Sequence, residues 1–296
     1  MKSLKSLHIF ENTHMSHTAF GGVTEMKRAL FSLTVAESKR LIAKAVVAMP
    51  EVKAAMQHGR LIVGRGSTNA YIVEELLNTY VEKSHYTVGV ITAGTLCVTP
   101  EDDRMPEVVF VEGEMVDIPW KQALGDFGRG DVFIKGANAV DVDGNCGVLV
   151  GDDIGGTIGG ALPTLSARGC TLIMPVGLEK LVPSVIDAAD RLGIDQIDMS
   201  LGMPCGMMVV SSGNIVVTET MALEEIFDVE ATHVASGGVA GSEGSVTIVV
   251  VGEDEEVKKA FEFVKRIKGE KPMTASKRMC GKCKNENCFA FKPMSE

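Results

Sequence analysis

Short apolar runs rich in Val and Ile, bounded by glycine and alternating with stretches of helical periodicity, constrain this chain most. Leu61-Ile62-Val63, Thr87–Thr92, Val108-Val109-Phe110-Val111, Val132-Phe133-Ile134 and Thr171–Met174 read as strands. Residues 69–82, Thr157–Arg168 and Leu178–Leu192 read as helices. Strands apolar on both faces suit a sheet covered by helices on both sides, and alternation with helices makes it mostly parallel. The expected fold class is therefore α/β, Rossmann-like, with two flanking parts. Upstream, Thr34 and Glu37 form a capping-box signature before a periodic apolar stretch that Pro50 ends, which predicts a helical preface. Downstream of Pro204 the pattern turns β-rich. Met207–Ser211 and Ile215–Thr218 flank a hairpin signal at Ser212-Gly213-Asn214, and Val246–Val251 reads as a strand. Glu253–Lys268 reads as an amphipathic helix with Val257, Ala260, Phe261, Val264 and Ile267 inward. This divides the chain into an N-terminal arm and helices (1–58), an α/β ligand-binding core (59–268) and a Cys-containing tail (269–296). Residues 1–20, with His8, His14 and His17, have little pattern and read as an arm.

With 45% apolar residues in 296, a large core needs neither disulfide nor metal. Asp and Glu outnumber Lys and Arg by 39 to 29, a net charge of -10, which argues against a nucleic-acid partner. No stretch approaches the ~18 uncharged apolar residues of a membrane span. Met1 to Phe20 lacks the apolar run of a secretory signal, and seven cysteines is an odd number, so a reducing, cytoplasmic location is expected.

Two glycine-bearing turns carry the chemistry. Gly64-Arg65-Gly66-Ser67-Thr68 lies between a strand and a helix. Its glycines turn the chain, and Ser67 and Thr68 stand at the helix mouth, where free N–H groups suit a phosphate or carboxylate. Lys135-Gly136-Ala137-Asn138-Ala139-Val140-Asp141 follows an apolar strand, at the sheet edge where α/β ligand sites form. There Asp141 suits a general base, with Lys135 or Asn138 steadying an oxyanion. Gly151-Asp152-Asp153-Ile154-Gly155-Gly156-Thr157 then opens another helix, a second anion cradle. Gly64, Gly66, Ser67, Thr68, Gly136, Asp152, Asp153, Gly156 and Thr157 are the candidate ligand-binding residues.

Taken together, these motifs resemble the superfamily of ribose-5-phosphate isomerase, glucosamine-6-phosphate deaminase and the CoA transferases. Gly64-Arg65-Gly66-Ser67-Thr68-Asn69-Ala70-Tyr71 is similar to the isomerase phosphate loop. Asp131–Asp141 looks like its Gly-Ala-Asp-Glu-Val-Asp segment, and Gly156-Thr157-Ile158-Gly159 is similar to the initiation-factor-2B-related branch, which includes 5-methylthioribose-1-phosphate isomerase. The resemblance covers residues 59–175. It implies a small anionic ligand of the sugar-phosphate class, an isomerase-like reaction, and a homo-oligomer of the kind ordinary in that group. The chain departs from the pattern where Asn138 replaces an aspartate and where Gly147–Asp153 lacks the isomerase lysine loop. Those departures suit a second reading, a non-catalytic metabolite or redox sensor. An acyl-CoA transferase or hydrolase is a third, for which Glu243 in Gly241-Ser242-Glu243-Gly244 is the catalytic candidate.

Cys280-x-x-Cys283-x-x-x-x-Cys288 offers three thiolates for Zn or an Fe–S cluster, with Cys205, His14 or His17 as a fourth ligand. Cys97 reads as a core thiol, His233 as a structural histidine, and Trp120 has no readable role.

Overall fold

The computed structural model describes residues 26–283 and 288; the arm with His8, His14 and His17 lies outside them. Strand β1 (Lys27–Leu33) comes first. Thr34 then caps α1 (Val35–Ala48) through the reciprocal Thr34–Glu37 bonds that the spacing predicts. Pro50 ends α1 and opens α2 (Pro50–His58), where its missing N–H costs nothing. There follow β2 (Arg60–Val63), α3 (Ser67–Leu77), β3 (Gly89–Thr92), β4 (Thr95–Val98), β5 (Val108–Val111), β6 (Glu114–Val116) and α4 (Trp120–Gly125). The middle of the chain forms β7 (Val132–Ile134), β8 (Ala139–Val140), β9 (Cys146–Val150), α5 (Gly156–Arg168), β10 (Thr171–Pro175) and α6 (Val185–Ala189). The last elements are β11 (Gly206–Val210), β12 (Asn214–Val217), α7 (Glu219–Ile226), β13 (Val229–Gly237), β14 (Ser245–Gly252) and α8 (Asp254–Ile267).

The central sheet has the order β12-β10-β7-β2-β5-β6. Strands β12, β10, β7 and β2 are parallel, while β5 and β6 run antiparallel at one edge. Alternate side chains enter two cores. Leu61, Val63, Val132, Ile134 and Ile173 pack into one cluster with residues of α1 and α3. Ile62, Phe133, Leu172 and Met174 pack into the other with residues of α4 and α5. The expected α/β, Rossmann-like class thus holds, with both faces covered. Beside it lie a three-stranded antiparallel sheet β1-β14-β13, a small sheet β11-β9-β8 and the hairpin β3-β4. Among the described residues no helix is long and apolar enough to cross a membrane.

Several local expectations are corrected. The N-terminal part is not wholly helical, because Lys27–Leu33 alternates toward the core as a strand and pairs with β14. Phe31 and Leu33 share a core with Val246, Ile248 and Val250. The helix expected over 178–192 is broken at Pro183, leaving a short turn and α6. The strands around Ser212-Gly213-Asn214 do not pair as a hairpin, since β11 joins β9 and β12 joins β10. The strand expected at Thr87–Thr92 pairs as β3 with β4, outside the central sheet. Phe261 is 39% exposed, whereas Val257, Ala260, Val264 and Ile267 face inward as expected.

Candidate functional site

The parallel strands end at one edge of the sheet, and there a cleft of about 530 Å³ opens. Chain segments far apart in sequence build it. After β2 the chain has no room to spare: a Cβ on Gly64 would stand 3.1 Å from Lys135 Cδ and 3.2 Å from the Ile134 carbonyl. The Gly64 N–H donates to that carbonyl at 2.9 Å. The fully buried Asn69 amide donates to Gly64 O at 2.7 Å and to Ile134 O at 3.3 Å, so one side chain ties the turns after β2 and β7 together. Gly66 occupies the N-cap of α3 and brings no side-chain acceptor to the helix's first N–H groups. Gly155 does the same for α5, in the left-handed conformation (φ 79°) that glycine adopts readily. Asp152 bends the preceding loop, one carboxylate oxygen accepting from Ile154 N and Gly156 N. Two helix N-termini thus reach one cleft: that of α3 has no side-chain cap, while at α5 the Gly156 N–H is taken by Asp152.

Cations concentrate there. Arg65, Arg104, Lys121, Lys135, Lys180 and Arg278 line the cleft, against Glu101, Glu107 and Asp152. Two of the cations pair with carboxylates that line the cleft: Arg65 Nε stands 3.0 Å from Glu107 Oε1, and an Arg278 guanidinium nitrogen 2.7 Å from Glu101. Glu107 also accepts from Thr157 Oγ1 at 3.3 Å, and so bridges the two helix mouths. Lys180 Nζ donates to Ala137 O at 3.0 Å and is 3.9 Å from Glu179. Among the described residues, Lys135 Nζ bonds only the carbonyls of Arg65 and Gly136, at 3.5 and 3.4 Å. Burial, with the charge of Lys180 adding to it, pulls the Lys135 ammonium down to about 8.

Of the residues singled out in the sequence, Gly66, Ser67, Thr68, Lys135, Gly136, Asn138, Asp152, Gly156 and Thr157 line this cleft. Gly64 lies buried behind it, and Asp153 is exposed outside it. Asp141 is not among the lining residues either. Its carboxylate accepts from Asp143 N, Asn145 N, Asn145 Nδ2 and Val185 N, and these bonds hold its pKa below the usual aspartate range despite burial. A carboxylate so occupied shapes its own loop instead of facing a ligand, which is a correction to its reading as general base. Asn138 Oδ1 accepts from Leu149 N at 3.0 Å and helps hold the loop onto β9. His233 bonds Ser236 on exposed β13, and Glu243 accepts from Gly241 N in the β13–β14 turn; neither lines the cleft. Cys205 and Trp120 do line it.

Sequence reasoning missed Arg65, Glu107 and Lys180. Glu107 arrives at this edge because β5 runs antiparallel to β2, which puts the start of β5 beside the end of β2. An all-parallel reading places it at the opposite edge.

The tail docks beside the cleft, with Arg278 N donating to Val98 O on β4 and Cys288 pairing with Ser200. Cys283 N closes a turn on Cys280 O, and Lys277 Nζ donates to Cys280 Sγ at 3.2 Å. Among the described residues no three His, Cys, Asp or Glu side chains gather closely enough to hold a metal ion. Of the expected set Cys280, Cys283 and Cys288, the Cys280 thiol faces the Lys277 ammonium.

No protein-family model and no curated protein matches the chain. Among solved structures, a D-ribose-5-phosphate isomerase in complex with phospho-erythronic acid is similar at 19% identity and a TM-score of 0.28, over 75% of this chain and 81% of that one. Likeness at that level carries no inference about the site.

Proposed function

We propose that the cleft binds a small phosphorylated carbonyl compound of the sugar-phosphate class and moves a proton beside its carbonyl, as an isomerase does. One observation carries this reading: the uncapped N-terminus of α3 and the first turn of α5 share a cleft with Lys180 and Lys135, in a chain of net charge -10. The N–H groups at Ser67, Thr68 and Thr157 are the natural seat of the phosphate. Lys180 stabilises the oxygen that gains charge when the adjacent C–H is deprotonated. Glu107 is the cleft carboxylate that joins both helix mouths, and it takes the place Asp141 held as candidate base.

The test is a panel of aldose and ketose phosphates assayed for interconversion, alongside a thermal-shift series with the same compounds. A ligand at 100 times its dissociation constant stabilises by about 2.7 kcal/mol. Ser67→Pro removes one N–H at the first position of α3, where proline is tolerated, and Gly66 is already extended as a residue before proline must be. The expected result is a phosphate-dependent shift that Ser67→Pro weakens roughly tenfold in affinity, the scale of one charge-assisted bond. No shift with any phosphate, or one that Ser67→Pro leaves untouched, contradicts the reading. Binding without turnover assigns the cleft to a sensor.

A further inference from the structure

Lys135 is unusual on chemical grounds. A lysine half-buried in a cleft wall, as Lys135 is, ordinarily pairs with a carboxylate. Here, among the described residues, Nζ meets two backbone carbonyls at the outer limit of hydrogen bonding, and no carboxylate lies within ion-pair distance. The stem is held firmly against Gly64, where even a methyl group would crowd Cδ, so the amine is positioned while its head stays uncommitted. The charged groups around it are Lys180, Arg65 and Glu107. Glu107 is engaged by Arg65 and Thr157, and the two cations disfavour a third positive charge. Burial and like charge together keep part of the Lys135 population as free amine near neutral pH, and the free amine is the nucleophilic form.

We infer that Lys135 forms an imine with the carbonyl carbon of a ligand whose phosphate sits at the mouths of α3 and α5. This deepens the proposed function and rests on it for the anionic group alone. The amine lone pair attacks the carbonyl carbon, a C–N bond forms, and a proton passes from nitrogen to the former carbonyl oxygen to give a carbinolamine. That hydroxyl takes a second proton and leaves as water, and the nitrogen is left doubly bonded to carbon. Water returns to release the product, so amine and carbonyl are regenerated without oxidant or reductant. The iminium withdraws electrons from the neighbouring carbon and makes its proton easier to remove.

The experiment incubates the full chain with dihydroxyacetone phosphate and cyanoborohydride near pH 7, then maps reduced adducts by peptide mass spectrometry. Lys135 should be modified roughly a hundredfold faster than exposed Lys258, since each unit of pKa is a tenfold change in free amine, and inorganic phosphate should protect it. Lys135→Met should abolish the adduct while keeping the phosphate-dependent thermal shift, which shows that the variant is folded. A phosphate shift with no preferential adduct at Lys135 overturns the imine and leaves the anion site standing. An adduct at Lys135 that phosphate does not suppress supports the imine and overturns the phosphate seat. Neither adduct nor shift overturns both.

Discussion

Glu219 is fully buried at the start of α7. One carboxylate oxygen accepts from Leu178 N at 2.8 Å, and the Ser38 side chain lies against the group. Burial, reinforced by the charge of Glu179, pushes its carboxyl up to about 7. The unfolded chain gives up this proton near 4.5, so the group's contribution to stability is full below that pH and is lost as pH rises through 7. Glu219→Gln keeps an acceptor for Leu178 and removes the charge. It should raise stability by up to about 3 kcal/mol at pH 8 and change little at pH 5, measured as melting temperature at both pH values; an equal effect at the two contradicts the assignment. Asp141 teaches the complementary lesson. In the sequence it is a carboxylate near a lysine, and the spacing Asp141, Asp143, Asn145 is equally that of a polar turn. Which reading holds depends on backbone direction, and in the structure four donors converge on it.

Elements were legible where one physical signal dominated. Apolar runs gave β2, β5, β7, β10 and β14, and the capping box gave α1. β1 and β13 were not legible, because Lys27–Leu33 and Val229–Gly237 are edge strands with one exposed face and carry less apolar signal. Pro183 was a visible break that the helical pattern around it masked. The glycines and Thr157 mark the start of α5 as a helix mouth, but local sequence does not show how closely it packs. A Cβ on Gly159 would stand 2.1 Å from the Ile154 carbonyl, so Gly159→Ala must displace the loop that leads into the helix. We expect it to lower stability by roughly 1–3 kcal/mol, the range for overpacking, and to weaken phosphate binding. Gly128→Ala, with open space around it, should do neither. Equal behaviour of the two in thermal melts with and without phosphate would contradict the role given to this turn.

At the scale of the whole molecule, the sheet order explains why the site was only half legible. Ser67 and Lys135 closely follow the parallel strands β2 and β7, so chain order assigns them to one edge, whereas Gly156 comes after a loop that leaves β9 of the small sheet. Glu107 and Arg278 reach the cleft through an antiparallel strand and a docked tail, neither of which local pattern shows. The resulting charge distribution is polarised: an acidic chain gathers cations and open N–H groups in one cleft. The most direct test of that claim is a crystal of the full chain soaked in tungstate, a tetrahedral oxyanion whose metal scatters anomalously. The account predicts one dominant anomalous peak between the first turns of α3 and α5, within reach of Lys135 or Lys180, which competing phosphate removes. Tungstate bound elsewhere with this cleft empty would contradict it.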